Sequence, residues 1–458
     1  MLFSLCLSLF STAQASTFYF SDIGVKGYAR GGAFIAGVDD VTAQWYNPAA
    51  FTRVEKGMFG IQVSYVLHNV HFERADVDEL TFDAVDNDSR TTIIPHGGVA
   101  YKFGDLTAYV GFTSPYADFL EYPANGSQRY SLIESSVLQT FTGGVLAYKV
   151  NDWISVGVGA SWNMLEVNQS RNLSLYIKND PKAQEEDPTR DVTFSLSVRD
   201  NAGIAYNLST LIEPPDKKWA FGLMVQPPTQ FQGEGTVEAD FSQHFLHTDT
   251  GIIVDPSSKD ESVTMKINMP LIVRTGFLVR PRETWEIELG VVYENWSSLP
   301  DPLIIDGLDM KIKLKVGSNE SEETLDDPIA IPNGYQSTFS VRLGTEWKAT
   351  PQFHLRTGAI FEQGGIPPQF VSVSSIDRDK IGYGLGASYI FSPSFSMDIG
   401  IFQSFFGTWT VEDSGVKRLA AEIDISDMSA TLKEDRVVGN GTYSSNVFYG
   451  GMSATYKF

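Results

Sequence analysis

The chain has 458 residues and a formal net charge of −22, because 56 acidic residues outnumber 34 basic ones. This length is enough for one large domain or several ordinary ones. The negative charge argues against a nucleic-acid-binding protein, which needs a cationic surface. The 40 Gly, 30 Phe, 19 Tyr and 8 Trp are a combination typical of membrane β-barrels, whose aromatic residues form girdles at the two membrane interfaces.

The first 15 residues form an apolar stretch that ends in Ala13-Gln14-Ala15. Small residues at both ends of this tripeptide are typical of a cleavage site, so residues 1–15 are predicted to be a signal peptide. The only cysteine, Cys6, lies inside this stretch. The mature chain is therefore expected to form no disulfide. Beyond residue 15 no run of about 18 apolar residues follows, so no transmembrane helix is predicted.

The rest of the chain alternates with period two, which indicates β-strands. In Trp285–Glu294, the residues Trp285, Ile287, Leu289, Val291 and Tyr293 share one face, and polar or small residues share the other. The same pattern recurs in 217–226 and 339–348. A soluble β-sandwich would also alternate, so the strands alone leave sandwich and barrel open.

The connections between strands alternate in length, and this favours a barrel. Short turns are predicted at Gly104-Asp105, Asn151-Asp152, Pro214–Lys217, Arg280–Glu283, Lys348–Pro351 and Phe391–Pro393. Longer polar segments lie between them, at 73–92, 117–133, 169–190, 238–262, 298–334, 365–379 and 410–444. Outer-membrane barrels have short periplasmic turns and long extracellular loops. Six short and seven long connections predict an all-β, antiparallel transmembrane barrel of about 14 strands.

The last strand, Val447 to Phe458, alternates as well and ends on an aromatic residue, Phe458. We expect it to pair antiparallel with the first strand, around Met58–His68, and so to close the wall. Before that first strand lies a segment that is rich in small residues, 16–57. About 40 residues are too few for an independent core, and the lumen of a 14-stranded barrel is too wide for wall side chains to fill. The segment is therefore predicted to be a hatch inside the barrel, with residues 58–458 as the wall.

A series of short motifs runs through most of the mature chain. In chain order, they are 24–36 with Asp39-Asp40, Asn47-Pro48-Ala49, Gly111-Phe112-Thr113-Ser114-Pro115, Arg129-Tyr130, Asn268-Met269-Pro270-Leu271 with Arg274-Thr275-Gly276, 293–298, 332–344 and Arg356-Thr357-Gly358. Taken in this order, the motifs resemble those of the FadL/TodX family of outer-membrane transporters for hydrophobic compounds. The resemblance implies passive diffusion of long-chain fatty acids or aromatic hydrocarbons through a hatch-gated barrel.

The resemblance also implies site residues. Phe18, with Phe20 near it, is expected to line a ligand pocket close to the mature N-terminus, although packing of the hatch against the wall would explain Phe18 equally well. Asn47-Pro48-Ala49 is expected to fix a turn of the hatch, since Asn and Pro favour turns. Gly111, Ser114 and Pro115 are expected to kink the third strand inward and open a lateral gap. The alternative is a strand that simply ends at Pro115.

Three arginines, Arg274, Arg342 and Arg356, alternate onto the inward face, where they could orient a carboxylate ligand. The alternative is pairing with lumen carboxylates such as Glu286, Glu288 or Glu346. His68 and His71 are assigned to the first loop as solvated residues, and no metal site is predicted. No Gly-x-Ser-x-Gly motif lies near a histidine, so no hydrolase is predicted.

The sequence thus predicts a transporter of the Gram-negative outer membrane, most simply for long-chain fatty acids, with no cofactor. A transporter of aromatic hydrocarbons and an unplugged, non-specific porin are the alternatives. The expected partners are a hydrophobic small molecule, outer-membrane lipid and the barrel assembly machinery, with no nucleic acid. We expect the protein to be a monomer.

Overall fold

The computed structural model describes residues 22–88, 90–180, 182, 185–240, 252–255, 260–299, 303–306, 310–316, 319–325, 329–331, 334–427 and 429–458. The predicted signal peptide, residues 1–15, lies outside this range. In the described residues no helix is long and apolar enough to cross a membrane.

Fourteen strands form one closed antiparallel ring, as predicted. They are β1 (Gly57–Arg74), β2 (Thr92–Phe103), β3 (Leu106–Glu121), β4 (Glu134–Lys149), β5 (Ile154–Ile177), β6 (Asp191–Ile212), β7 (Trp219–Gln226 and Thr229–Asp240), β8 (Asp260–Met269 and Ile272–Arg282), β9 (Trp285–Glu294), β10 (Thr338–Lys348), β11 (Phe353–Glu362), β12 (Lys380–Ser392), β13 (Phe395–Val411) and β14 (Gly441–Lys457).

The ring closes between its first and last strands. The β1–β14 ladder runs from Met58 opposite Lys457 to Arg74 opposite Gly441. This confirms the predicted pairing of the terminal strands. A closed ring leaves no unpaired edge, which lipid could not satisfy.

The outer surface of the ring is apolar because the strands alternate. In β1, Phe59, Ile61 and Val63 are exposed, whereas Gln62 and Ser64 between them are buried. An aromatic girdle follows the short-turn rim, with neighbouring rings such as Trp153–Trp219 at 6.4 Å and Tyr101–Phe458 at 6.3 Å. A shallow outer concavity of about 1210 Å³ between β9 and β1 is lined by the same apolar surface, including Trp285, Trp347 and Ile399. It therefore faces lipid and not the lumen.

The long loops carry the remaining short elements. These are the strands Val85–Asp86, Ile252–Asp255, Leu303–Asp306, Met310–Val316, Asn319–Leu325, Ile329–Ile331, Lys417–Asp424 and Ser429–Val437, and the 3-10 helices Pro188–Arg190, Trp296–Ser298 and Pro368–Phe370. The hairpin of the last loop pairs in parallel with the end of β5, from Ala420 opposite Ser174 to Ile423 opposite Ile177. The seventh loop is thereby fixed to the strand that leads into the third loop.

The segment before β1 lies inside the ring. It contains α1 (Val25–Ala29), α2 (Ala43–Tyr46) and a 3-10 helix at Pro48–Arg53. Nearly all residues from Asp22 to Thr52 are buried. Isolated helices this short are unstable in water, so contact with the barrel wall stabilises them. We call this segment, residues 22–56, the hatch.

Candidate functional site: a plugged lumen beside a kinked strand

Glycines of the wall determine where the hatch lies. A Cβ added to Gly344, Gly358, Gly384 or Gly400 would stand 2.1 to 2.9 Å from hatch backbone atoms. Gly344, Gly358 and Gly384 are also opposite one another across β10, β11 and β12. No side chain fits at these four positions, which we call the glycine belt. The belt lets the backbone around α1 touch the strands directly.

Glu288 of β9 holds the next part of the hatch. Its carboxylate accepts hydrogen bonds from the backbone N–H groups of Ile35, Ala36 and Gly37, at 2.6, 2.7 and 2.9 Å. The Arg30 guanidinium lies 3.4 Å away, and Glu288 is fully buried. Three consecutive N–H groups that converge on one anion form a nest. Bonds to a charged acceptor are stronger than neutral ones, so Glu288 is a strong anchor of the hatch.

The Asn47-Pro48-Ala49 motif attaches the hatch to β6. The Asn47 side chain accepts a bond from the Ala49 N–H at 3.2 Å and caps the 3-10 helix, with Pro48 as its first residue. Asn47 also donates to the Thr210 carbonyl at 3.3 Å. The Ala49 N–H lies 2.8 Å from the Ser209 hydroxyl. In the described structure this motif contacts the wall and fixes a turn.

Three buried apolar clusters follow one another from the long loops to the hatch. The loop cluster includes Val70, Phe72, Leu120, Trp296, Val371 and Tyr443, the middle cluster Val66, Ile94, Ala117 and Val447, and the hatch cluster Val25, Tyr28, Ile360 and Phe402. Phe406 packs against the first two, and Tyr449 against the last two. We call these three linked clusters the apolar column. Apolar side chains of this kind are the contacts that a hydrophobic ligand needs.

The three predicted arginines point inward and are buried. Arg342 lies 3.5 Å from both Asp22 and Glu362. Arg356 pairs with Glu346 at 2.6 Å and Asp398 at 3.5 Å. Arg342 and Arg356 therefore pair with lumen carboxylates. The guanidinium of Arg274 lies 4.7 Å from the centre of the Trp45 ring of α2.

The third strand is irregular at Ser114-Pro115. Thr113 pairs with Phe141 and Tyr116 with Gln139, so β3 holds one residue more than β4 between these pairs. On its other side, the β2–β3 ladder ends at Gly97 opposite Phe112. An extra residue bends a strand, and Pro115 has no N–H to continue the ladder. Beyond Phe112, β3 has therefore left β2.

A buried histidine holds the second half of β3 inside the barrel. Nδ1 of His68, on β1, donates a 3.0 Å hydrogen bond to the Asp118 carboxylate, because a carboxylate can only accept. Nε2 of His68 lies 3.1 Å from the Ser445 hydroxyl of β14. The prediction that His68 is a solvated loop residue is wrong, since β1 continues to Arg74 and His68 is 5% exposed. In the sequence, His68 lies on the same face of the strand as the apolar residues Val66 and Val70, and this pattern indicates a buried position.

Above the column, charged groups join three separate loops and strand ends. The buried Glu186 carboxylate of the third loop accepts from Arg74 at 2.7 and 2.8 Å and from Arg436 of the seventh loop at 3.2 Å. Burial alone would raise the pKa of Glu186, but the hydrogen bonds and charges of Arg74, with Arg418 and Arg129, lower it below its ordinary value of 4.5. We call this cluster the loop clasp. It holds the loops over the outer end of the column.

Phe18 and Phe20 lie outside the described residues, so the structure does not place them. Within the described residues no group of three or more His, Cys, Asp or Glu side chains could hold a metal ion.

A closed ring with an apolar outer surface, a seated hatch and an apolar column defines a plugged outer-membrane channel. The sequence model of the family described as outer membrane protein transport protein (OMPP1/FadL/TodX) matches residues 6–458. The chain belongs to this family. Its members are transport channels of the Gram-negative outer membrane, so this protein is an outer-membrane transporter of hydrophobic compounds and not an enzyme.

Individual relatives are distant but cover nearly the whole chain. The long-chain fatty acid transport proteins of Salmonella typhi and Escherichia coli (strain K12) are each 22% identical over 409 residues, which is 85% of this chain and 86% of theirs. Among solved structures, a Pseudomonas aeruginosa FadL homologue has a TM-score of 0.72 at 17% identity, covering 96% of this chain and 99% of that one. The P. putida toluene transporter TodX has a TM-score of 0.64 at 14% identity, covering 96% and 99%.

Proposed function

We propose that this protein carries long-chain fatty acids by passive diffusion, and that the hatch closes its periplasmic end. The observation that carries the proposal is the apolar column, which is continuous from the loop clasp to α1. Relatives named as long-chain fatty acid transport proteins, aligned over 85% of the chain, support this choice of ligand.

A polar group inside the column favours a fatty acid over a pure hydrocarbon. His68 and Ser445 lie next to Val66 and Val447, which belong to the middle cluster. Both ring nitrogens of His68 already have partners, but the Ser445 oxygen can still accept a hydrogen bond. A protonated carboxyl group can be oriented by this acceptor, whereas a hydrocarbon has no group that could use it.

In this proposal the ligand leaves sideways at β3. The extra residue at Ser114-Pro115 and the end of the β2–β3 ladder at Phe112 lie next to Ala117, which belongs to the column. A hydrophobic molecule at this point can pass into the outer leaflet without crossing the aqueous periplasmic end. Arg342 and Arg356 already pair with carboxylates. Because Arg342 also pairs with Asp22 of the hatch, we assign it to holding hatch and wall together, and we assign Arg356 to joining strands of the wall.

The test is uptake of radiolabelled oleate and of toluene by cells whose own fatty acid transporter has been deleted. The full chain should restore oleate uptake. Ala117→Trp, which fills the column, should abolish it, whereas Leu146→Trp on the outer face should not. Restoration of toluene uptake alone would instead support the aromatic-hydrocarbon alternative.

A further inference from the structure

The hydrogen-bonded ladder between β6 and β7 is interrupted over eight residues. On the short-turn side the ladder runs from Ile212 opposite Phe221 to Leu208 opposite Val225. It resumes at Arg199 opposite Glu234. Both ladders have the same register, yet 200–207 and 226–233, all of them described, form no ladder pairs with each other. We call this interruption the seam.

The sequence explains the seam. In each strand the inward-pointing residues switch between even and odd positions, and the two switches lie at different heights in the wall. In β6, Gly203 and Ala205 are buried, and their in-register counterparts on β7, Gln230 and Pro228, are exposed. Inward residues of one strand are thus opposite outward residues of the other. In β6 the inward-pointing positions change from even to odd at 201–202, where β6 holds one residue more than β5. In β7 they change at Pro227-Pro228. Because these two changes lie at different heights, the strands between them cannot form a ladder.

Prolines prevent the two strands from restoring the ladder by a shift in register. Pro227 and Pro228 separate the two halves of β7, and Pro270 separates those of β8 at the same height. Proline donates no hydrogen bond to a ladder. A shift of one strand past the other would therefore still leave carbonyl groups without donors.

A single aromatic side chain fills the gap. A Cβ added to Gly203 would lie 2.3 Å from the ring of Phe231, so this ring packs directly on the Gly203 backbone. Phe231 is fully buried. At the upper end the Asp200 carboxylate accepts from the Gln232 N–H at 2.9 Å. The seam is closed by side chains, which can move, and not by a ladder.

A small cavity lies at the lumen end of the seam, beside the hatch. It holds about 30 Å³ and is lined by Gln44 and Trp45 of the hatch and by Asn207 and Gln226 of the wall. Nε2 of Gln226 and Oδ1 of Asn207 are buried and have no hydrogen-bond partner within the described part of the chain. One donor and one acceptor are thus available to a polar group that enters here.

The opposite side of the seam lies at the outer membrane interface. Ile204 and Tyr206 are more than half exposed on the outer surface. Just above them, Asn201, Gln230 and Gln232 are exposed, so the surface changes there from apolar to amide. Irregular backbone at membrane depth is tolerated where it is buried in protein or lines a polar cavity, and the seam lies against the buried Phe231 ring and the cavity with Asn207 and Gln226.

We propose that the seam is a second lateral opening, through which a single-chain amphiphile exchanges between the outer leaflet and the lumen, and that Phe231 closes it. The tail passes Phe231 into the lumen, and the polar head remains at the amide-rich outer rim or reaches Gln226 and Asn207. This inference rests on the proposed transport of fatty acids and adds to it a second exit, between β6 and β7. Thr113 of β3 also lines the cavity, so the two exits would start from neighbouring parts of the lumen.

Photo-crosslinking tests the seam directly. A diazirine-bearing palmitic acid is added to intact cells that produce the full chain and lack their own fatty acid transporter, and labelled peptides are mapped after irradiation. We expect label in 200–207 or 226–233 as well as in 113–121. Phe231→Ala should increase the label at the seam, whereas Phe194→Ala, a buried aromatic of β6 outside the seam, should not.

A disulfide across the seam provides a second test. Tyr206→Cys with Pro227→Cys joins in-register positions of the seam, and its oxidation should remove the seam label until a reductant restores it. Leu208→Cys with Val225→Cys joins a pair already in the ladder and should change nothing. Label confined to 113–121 in every variant would overturn the seam while leaving the proposed function intact. No label anywhere, with no palmitate uptake, would contradict both.

Discussion

Asp118 and His68 share a 3.0 Å hydrogen bond although β2 lies between their strands in the wall. This bond can form only because β3 has turned inward after Ser114-Pro115. His68 also contacts Ser445 of β14. The inward turn of β3 is therefore connected to the strand that closes the barrel. We therefore expect the proposed lateral gap next to β3 to depend on this contact.

Asp118→Ala should release the second half of β3. His68 would lose its acceptor inside the barrel, and a buried hydrogen bond to a charged group is worth roughly 1.5–3 kcal/mol. We expect a lower free energy of unfolding and reduced oleate uptake in cells. Asp105→Ala, an exposed substitution in the β2–β3 turn, is the control. Equal uptake by the Asp118 variant and the native chain would show that the bond does not hold the gap open.

Glu288→Ala should loosen the hatch. Three N–H groups of residues 35–37 would lose their acceptor at once, and each unsatisfied buried group costs roughly 1–3 kcal/mol. Single-channel recordings in planar bilayers should then show a higher ion conductance than the native protein. Glu166→Ala removes an exposed carboxylate from β5 and should leave the conductance low. A low conductance in both variants would mean that other contacts suffice to seat the hatch.

The glycine belt permits a matched pair of substitutions. Gly358→Ala would place a Cβ 2.1 Å from the Arg30 carbonyl, so the hatch must move, and we expect poor assembly or a leaking barrel. Gly290→Ala faces the same hatch, but its nearest neighbour is 3.5 Å away. It should be tolerated. Heat-dependent gel mobility reports folding of both variants, and equal folding and conductance would contradict the role of the belt.

The loop clasp should open in acid. The folded-state pKa of Glu186 is lowered, so its stabilising effect is present above the unfolded value of about 4.5 and is lost as the pH falls through the lower, folded value. Limited proteolysis of the loops should therefore accelerate below pH 4.5. Glu186→Gln should make cleavage fast already at neutral pH, and the exposed neighbour Glu185→Gln should behave as the native chain. A pH-independent cleavage rate of the native protein would contradict this prediction.

The sequence predicted the elements well, because alternation and connection length are local properties. These two properties predicted the strand count, the closure of β14 on β1 and the inward face of Arg342 and Arg356. They did not predict which residues meet across the lumen. Gly344 and Gly358 look like ordinary small strand residues until Arg30, more than 300 positions earlier, is seen against them.

The same limit explains the misassigned histidine and the seam. The predicted first strand ends near His68, although Arg74 still belongs to β1. The seam depends on the relative height of irregularities in β6 and β7, which neither strand shows alone. Such features can be predicted only when the register of neighbouring strands is known.

Deletion of Pro115 tests whether the ligand leaves sideways at the irregular third strand. β3 carries one residue more than β4 between Thr113 and Tyr116, so the deletion lets the strand continue straight and pair with β2. The measurement is the initial rate of radiolabelled oleate uptake by cells that lack their own transporter, with folded protein quantified in the outer membrane. We predict a loss of uptake at normal protein levels. Uptake at the native rate by the folded variant would contradict exit at this strand.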